Sequence, residues 1–257
     1  MCTAPDEDEF ELGGVKLRRV KWLDGAAEVL SRGAVEQSEA YRAGMLHTQD
    51  IASQLCCMMT GAQENTDILD ACAAPGGKSF TLAELTGGKS RITSCDIHAH
   101  RVGLIAKGAQ RLHIDCITPL RRDALSGDGE AADLVLCDVP CSGLGVIRRK
   151  PDIMNKTTDE ISSLPELQYS ILESCARKVR PGGVLMYSTC TLCRAENGAV
   201  VERFLREHTE FRGESLSLPR DGLRVADEPD CCLTLFPHAA GSDGFFMAKM
   251  RRKQAGE

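Results

Sequence analysis

The sequence predicts an α/β fold in which a mostly parallel sheet carries helices on both faces. Beyond residue 49, short apolar runs alternate with stretches of helical period, the pattern of successive strand–helix units. Several of these runs end in a carboxylate, and 24 glycines among 257 residues suit many tight strand-to-helix turns. A chain of this length holds one sizeable core with a short extension.

Residues 1–48 have mixed polarity without a strong period and are read as an extension packed on the core; residues 49–257 form the main domain. Between Gln49 and Met59 the positions Ile51, Ala52, Leu55, Met58 and Met59 recur at helical spacing. The first strand is expected from Asp67 to Cys72, followed by a Gly-rich turn and a helix through Leu85. The second runs from Arg91 to Asp96, with a helix from His100 to Leu112. A short third strand near Cys116 to Pro119 precedes Asp123, and the apolar run Asp133 to Asp138 is the fourth. After a long loop to Thr158 comes a helix with Pro165 in its first turn, where a missing N–H costs nothing, ending near Pro181-Gly182-Gly183. The fifth strand is Val184 to Thr189, a helix spans Ala195 to His208, and a hairpin-type strand from Gly244 to Met250 closes the sheet.

Composition excludes several classes. No apolar run approaches the roughly 20 residues that a membrane-spanning helix needs, and Met1 to Glu11 is acidic where a targeting signal would be basic. A cytoplasmic protein without membrane contact is expected. Thirteen cysteines, an odd number in a chain that is not small, read as reduced thiols, mostly small buried hydrophobes. The net charge of −6 weighs against an acidic partner but hides basic clusters at Arg18, Arg19 and Lys21, at Arg121 and Arg122, at Arg148, Arg149 and Lys150, and at Arg251 to Lys253.

The residues with chemistry gather where strands end. Asp70 to Lys78 joins the first strand to its helix, the place where open α/β sheets bind nucleotides. Helix N-terminal N–H groups there can hold an anion. Adjacent glycines at Gly76 and Gly77 exclude a P-loop, which needs four residues between its glycines. Asp96 ends the second strand, where an acid can accept bonds from ribose hydroxyls, and Asp123 follows the third. Asp138-Val139-Pro140-Cys141 ends the fourth strand and Ser188-Thr189-Cys190 the fifth, so both thiols are expected to face one cleft. Cys190 and Cys193 lack a second ligand pair, and no metal site is expected.

These residues resemble those of the Sun or RsmB-like RNA cytosine-5 methyltransferases. The resemblance covers roughly Gln49 to Lys249. It rests on Gln49-Asp50 with Ala52-Ser53-Gln54, on Asp70 to Lys78, and on Pro140-Cys141 with Gly145 to Arg149. It continues through Pro151-Asp152-Ile153, Pro165 to Gln168, Thr189-Cys190, Glu196-Asn197 and Asp243 to Phe246. It implies a Rossmann-like class I methyltransferase fold whose cofactor, S-adenosylmethionine, meets Cys72, Ala73, Ala74, Pro75, Gly76, Gly77, Lys78, Asp96, Asp123 and Asp138. It also implies that Cys190 is the nucleophile and Cys141 a helper in product release. Val139 stands where the family usually has Ala, and Met154-Asn155-Lys156 departs from the common pattern. Bacterial members carry a helical RNA-binding domain before the catalytic part. Residues 1–48 are too short for one, which leaves room for an accessory RNA-binding partner beside a monomeric chain.

Carbon 5 of cytosine takes a methyl group only after a thiolate adds to carbon 6. Positive charge near Cys190 would favour its thiolate. The candidate catalytic set is Cys190, Cys141, Asp138 and Lys78, with Asp138 placed to hydrogen-bond or protonate nitrogen 3. Arg148, Arg149 and Lys150 follow the Cys141 loop and are candidates for phosphate contact. Ribosomal RNA is the expected substrate. Transfer RNA, a non-catalytic ribosome-assembly factor of the same fold and a small-molecule methyltransferase are the alternatives.

Overall fold

The computed structural model describes residues 8–31, 33–127, 129–254 and 256; Met1 to Glu7, the first part of the acidic N-terminal stretch, lie outside the described residues. The strands are β1 (Glu9–Leu12), β2 (Val15–Arg19), β3 (Ala27–Val29), β4 (Asp67–Asp70), β5 (Arg91–Asp96), β6 (Ile117–Arg121), β7 (Ala132–Asp138), β8 (Val179–Thr189), β9 (Phe211–Gly213), β10 (Cys232–Leu235) and β11 (Phe245–Arg252). The helices are α1 (Glu39–Arg42), α2 (Ile51–Met59), α3 (Gly77–Leu85), α4 (Ala99–Arg111), α5 (Thr158–Ser162), α6 (Leu164–Ala176), α7 (Gly198–Glu207) and α8 (Pro237–Ala240).

Among the described residues β1, β2 and β3 form an antiparallel sheet, and the main sheet runs β10-β11-β8-β7-β4-β5-β6 with β9 also on β11. Its five strands from β6 to β8 are mutually parallel, and β11 joins β8 antiparallel. Strand order reverses between β4 and β7, the switch point at which such sheets open a ligand crevice.

Burial on both faces explains the near-continuous apolar strands. Successive residues alternate between two cores: Ile68, Leu134, Leu136, Val184, Met186 and Met247 pack with α2, α3 and α4, whereas Leu69, Val135, Cys137, Leu185, Tyr187 and Phe246 pack with α6 and α7. Leu23 of the N-terminal segment belongs to the first core, and Gly44 lies so close to α4 that a Cβ there would stand 2.0 Å from the Arg111 carbonyl oxygen.

Several boundaries differ from the sequence expectation. Strand β4 ends at Asp70 rather than Cys72, although the Ala71 and Ala73 N–H groups still donate to the Leu136 and Cys95 carbonyls. The helix expected to reach Pro181 stops at Ala176, and β8 begins at Val179. Residues 180–183 bulge between the Ala132–Val179 and Leu134–Val184 pairs, so Pro-Gly-Gly marks an irregularity within a strand instead of a helix stop. Before α6, α5 is a separate turn capped by a reciprocal Thr157–Glu160 box, and the break falls where Pro165 lacks the N–H to continue it. The C-terminal strand does not close the sheet, because the short strands β9 and β10 cover its outer edge.

Phe204 of α7 is fully buried, stacked on His208 and edge-on to Phe211. Phe204→Ala should cost about 3–5 kcal/mol of unfolding free energy through lost burial and the cavity left behind. Urea denaturation checks this; a loss below about 1 kcal/mol would mean the second core refills around the site.

Candidate active site

The turn after β4 places Gly76 in the left-handed conformation as the N-cap of α3, and no side chain caps that helix. The first N–H groups of α3 therefore face out of the turn, as an anion-binding helix start requires. At the end of β5, Asp96 is buried and accepts the His98 N–H at 2.9 Å. Arg101 of α4 joins these parts: its guanidinium lies 3.0 Å from Asp96 and donates to the Ala74 carbonyl at 2.8 Å. Asp123 is exposed, its carboxylate turned back to accept the Leu125 N–H at 2.9 Å, while the preceding Arg122 N–H donates to the Asp96 carbonyl.

Across the switch point, Lys78 of α3 donates to Asp138 at the end of β7, at 2.7 Å. Burial works against the ammonium, but the Asp138 carboxylate more than offsets it and holds Lys78 above the ordinary lysine range. The other Asp138 oxygen accepts the Ser188 hydroxyl at 2.7 Å. Cys56 of α2, a residue that sequence reasoning passed over, lies beside this pair with its thiol pushed up to about 12 by burial.

The two loop thiols meet as expected, with Cys141 and Cys190 sulfurs 3.1 Å apart. The hydrogen bond from Cys141 lowers the Cys190 thiol below the ordinary range, aided by the Lys78 charge, against burial and Asp138. Cys141 moves the opposite way, because it donates that bond and is buried. The two thiols share one hydrogen bond, and the Cys190 N–H also donates to the Cys141 sulfur, at 3.3 Å. The approach depends on Gly145, whose N–H donates to the Cys190 carbonyl at 3.0 Å; a Cβ at Gly145 would stand 2.8 Å from that oxygen and 2.0 Å from the Gly244 carbonyl oxygen.

Arg148, Arg149 and Lys150 are exposed on the loop after Gly145. Arg149 is drawn into an ion pair with the buried Asp243, and Arg148 lies 3.9 Å from the same carboxylate. That inward pairing was not legible from the cluster itself. Gln168 and Glu196, present in the motifs that carry the resemblance but given no role there, stand behind the Cys141 loop. A cavity of about 310 Å³ beside α7 and β10 includes neither thiol of the pair. Among the described residues no group of side chains is arranged to hold a metal, and no helix is long and apolar enough to cross a membrane.

A reversed-order parallel sheet with this crevice at its switch point defines a Rossmann-like class I methyltransferase domain. The chain belongs to the RsmB/F, or Sun, family: the family model described as 16S rRNA methyltransferase RsmB/F matches residues 57–251. It is 38% identical over 256 residues to the Bacillus subtilis (strain 168) protein named "Probable ribosomal RNA small subunit methyltransferase B", covering 96% of this chain and 56% of that one. Ribosomal RNA small subunit methyltransferase B of Xylella fastidiosa (strain 9a5c) is 34% identical, over 84% of this chain and 51% of its own. The chain thus spans about half the length of the curated relatives it matches. Among solved structures, PH0851 superposes with a TM-score of 0.86 at 30% identity, over 93% of this chain and 54% of that one. NSun6 from Pyrococcus horikoshii, solved with SFG, gives 0.77 at 28% identity, over 90% and 60%.

Asp70 opens the turn, fully buried, accepting the Ser79 hydroxyl at 2.7 Å. Burial, reinforced by the Asp138 charge, pushes its carboxyl up to about 7. The unfolded chain releases this proton near the ordinary value of about 3.9. Asp70 therefore contributes stability that is complete below about pH 4 and is lost as pH rises through about 7. Asp70→Asn should flatten that dependence between pH 5 and pH 8, read as urea midpoints. Equal slopes in both proteins would remove Asp70 as its source.

Proposed function

We propose that this chain is the catalytic part of an S-adenosylmethionine-dependent methyltransferase that makes 5-methylcytosine in small-subunit ribosomal RNA. The observation that carries the reading is the Cys190–Cys141 pair, 3.1 Å apart, at the ends of neighbouring parallel strands beside the Lys78–Asp138 ion pair. A small-molecule methyltransferase on this fold has no use for such a pair, and a non-catalytic assembly factor has no use for an acidified thiol. In the domain division we propose, residues 49–257 carry the chemistry and residues 1–48 are an extension.

The residues present fit S-adenosylmethionine. The uncapped start of α3 offers backbone donors to a carboxylate, and Asp96 offers a buried acceptor to ribose hydroxyls. Cys72 to Gly77, Asp123 and Asp138 frame the remainder. The cofactor supplies a methyl group on an electrophilic sulfonium centre. Toward it the chain prepares the cytosine: the Cys190 thiolate bonds to carbon 6, the carbon 5–carbon 6 π pair moves to carbon 4–carbon 5, and the carbon 4–nitrogen 3 π pair moves onto nitrogen 3. Nitrogen 3 takes up a proton, giving an enamine nucleophilic at carbon 5, and returns it after methyl transfer. Asp138, oriented by Lys78 and Ser188, is assigned to the ring edge at nitrogen 3. Once carbon 5 bears the methyl group, its hydrogen passes to a base, the C–H electron pair restores the ring double bond, and the bond from carbon 6 to sulfur breaks. Cys141, adjacent to the departing sulfur, serves this release. Arg148 and Lys150 are assigned to phosphates flanking a base turned out of its stack, with Arg149 shared between that task and Asp243.

Unmodified 16S ribosomal RNA transcribed in vitro, given with a labelled methyl donor, tests the assignment. Cys190→Ala should abolish methylation and form no adduct. Cys141→Ala should attack but release slowly, accumulating a ribonuclease-sensitive protein–RNA band on denaturing gels. The band in Cys190→Ala instead of Cys141→Ala would reverse the two roles, and full activity in both would end the thiol mechanism.

Asp96→Ala should weaken S-adenosylmethionine binding about tenfold or more, the scale of losing a hydrogen bond to a charged group. Unchanged affinity in calorimetry would move the ribose contact elsewhere.

A further inference from the structure

We infer that Glu196 is a positioning residue for Cys141, fixing its thiol against Cys190 through the backbone on either side of it. The inference rests on the reading of Cys190 as nucleophile and Cys141 as release thiol.

Glu196 is wholly buried, in the loop between β8 and α7. Its Oε2 accepts the Ser142 N–H at 2.8 Å and the Gln168 Nε2–H at 2.9 Å. Gln168, equally buried on α6, also donates from Nε2 to the Pro140 carbonyl at 2.9 Å. The two neighbours of Cys141 are therefore both held by this pair of side chains, and Lys156 adds a bond to the Ser142 carbonyl at 2.7 Å. The Ser142 hydroxyl donates to Thr191 Oγ1 at 2.8 Å, tying the same turn to the residue after Cys190. On the Cys190 side, Asn197 accepts from Thr189 at 2.6 Å and donates to the Thr191 carbonyl at 2.9 Å.

Packing alone does not explain a glutamate here. Neither hydrogen-bond partner of its carboxylate is a cation, and Oε1 is buried without a hydrogen-bond partner among the described residues. Such a group carries a desolvation cost that an apolar residue of similar size would avoid. What the carboxylate adds is a fixed acceptor for Ser142, one residue from the thiol whose 3.1 Å approach keeps Cys190 acidic. The other groups acting on the Cys190 thiol, Lys78 on α3, Asp138 on β7 and Arg149 on the loop beyond Cys141, make no hydrogen bond to the Glu196 carboxylate, whose partners are Ser142 and Gln168.

Two readings test this on the full chain. Alkylation of Cys190 by iodoacetamide across pH, followed by peptide mass spectrometry, needs no RNA; in Glu196→Ala it should be about tenfold slower at pH 7, because less of the thiol is ionised. With in vitro transcribed 16S ribosomal RNA, Glu196→Ala should accumulate the covalent adduct although both thiols are intact, and Glu196→Gln, whose carbonyl oxygen can still accept the Ser142 N–H, should restore both readings toward wild type. A Glu196→Ala protein that is only less stable, with the wild-type alkylation profile and no adduct, overturns the inference. If Glu196→Ala does not fold, Gln168→Leu, which frees the Pro140 carbonyl, takes its place with the same expectations. Failure of Cys141→Ala to accumulate adduct would instead overturn the catalytic reading, and the alkylation profile would still decide the positioning.

Discussion

The Lys78–Asp138 ion pair is the contact on which the rest of the crevice depends. It joins the helix that follows β4 to the end of β7, the two elements that part at the switch point. Removing two charges from water is costly, so the pair is weak evidence for stability, but losing one partner would strand the other in the crevice. Its stronger consequence is electrostatic. The ammonium favours a thiolate at Cys190, but the carboxylate opposes it more strongly, leaving the balance to the hydrogen bond from Cys141.

That balance is set by distances between loops, which is why so many buried polar side chains stand behind two short peptides. Ser142, Gln168, Glu196, Asn197 and Thr191 are all buried, and they bond chiefly to one another and to the backbone next to the thiols. Gly145 lets one loop lie against the other with no side chain between. Rigidity here comes from hydrogen bonds in a region of low dielectric, where each bond is stronger than in water and each unpaired atom, such as Glu196 Oε1 and Gln168 Oε1, more costly.

Much of the fold was legible in the sequence, because strands buried on both faces leave a nearly unbroken apolar signature. Strand β5 matches its expected bounds, and β7 begins one residue early. Prolines and glycines misled where their local meaning depends on tertiary pairing, as in the bulge of β8. Strands β9 and β10 were too short to show a period, yet they cover the edge of β11. The same division runs through the site. Strand ends announced Asp96, Asp138, Cys141, Ser188 and Cys190, whereas Arg101, which pairs with Asp96, comes from a helix face that no local pattern marks.

Residues 243–246 carry a constraint on timing. The Asp243 carboxylate holds Arg149, the Gly244 N–H donates to the Gly145 carbonyl, and the Phe245 ring lies 5.3 Å from the Lys78 ammonium. All three follow every other site residue in the chain, and Phe246 then pairs with Thr189 inside the sheet. A nascent polypeptide that has displayed both thiols but not yet this segment has an unbraced Cys141 loop and an open flank on β8. The ribosome making this protein must deliver β11 before the crevice takes its final shape, so the site is completed late in synthesis.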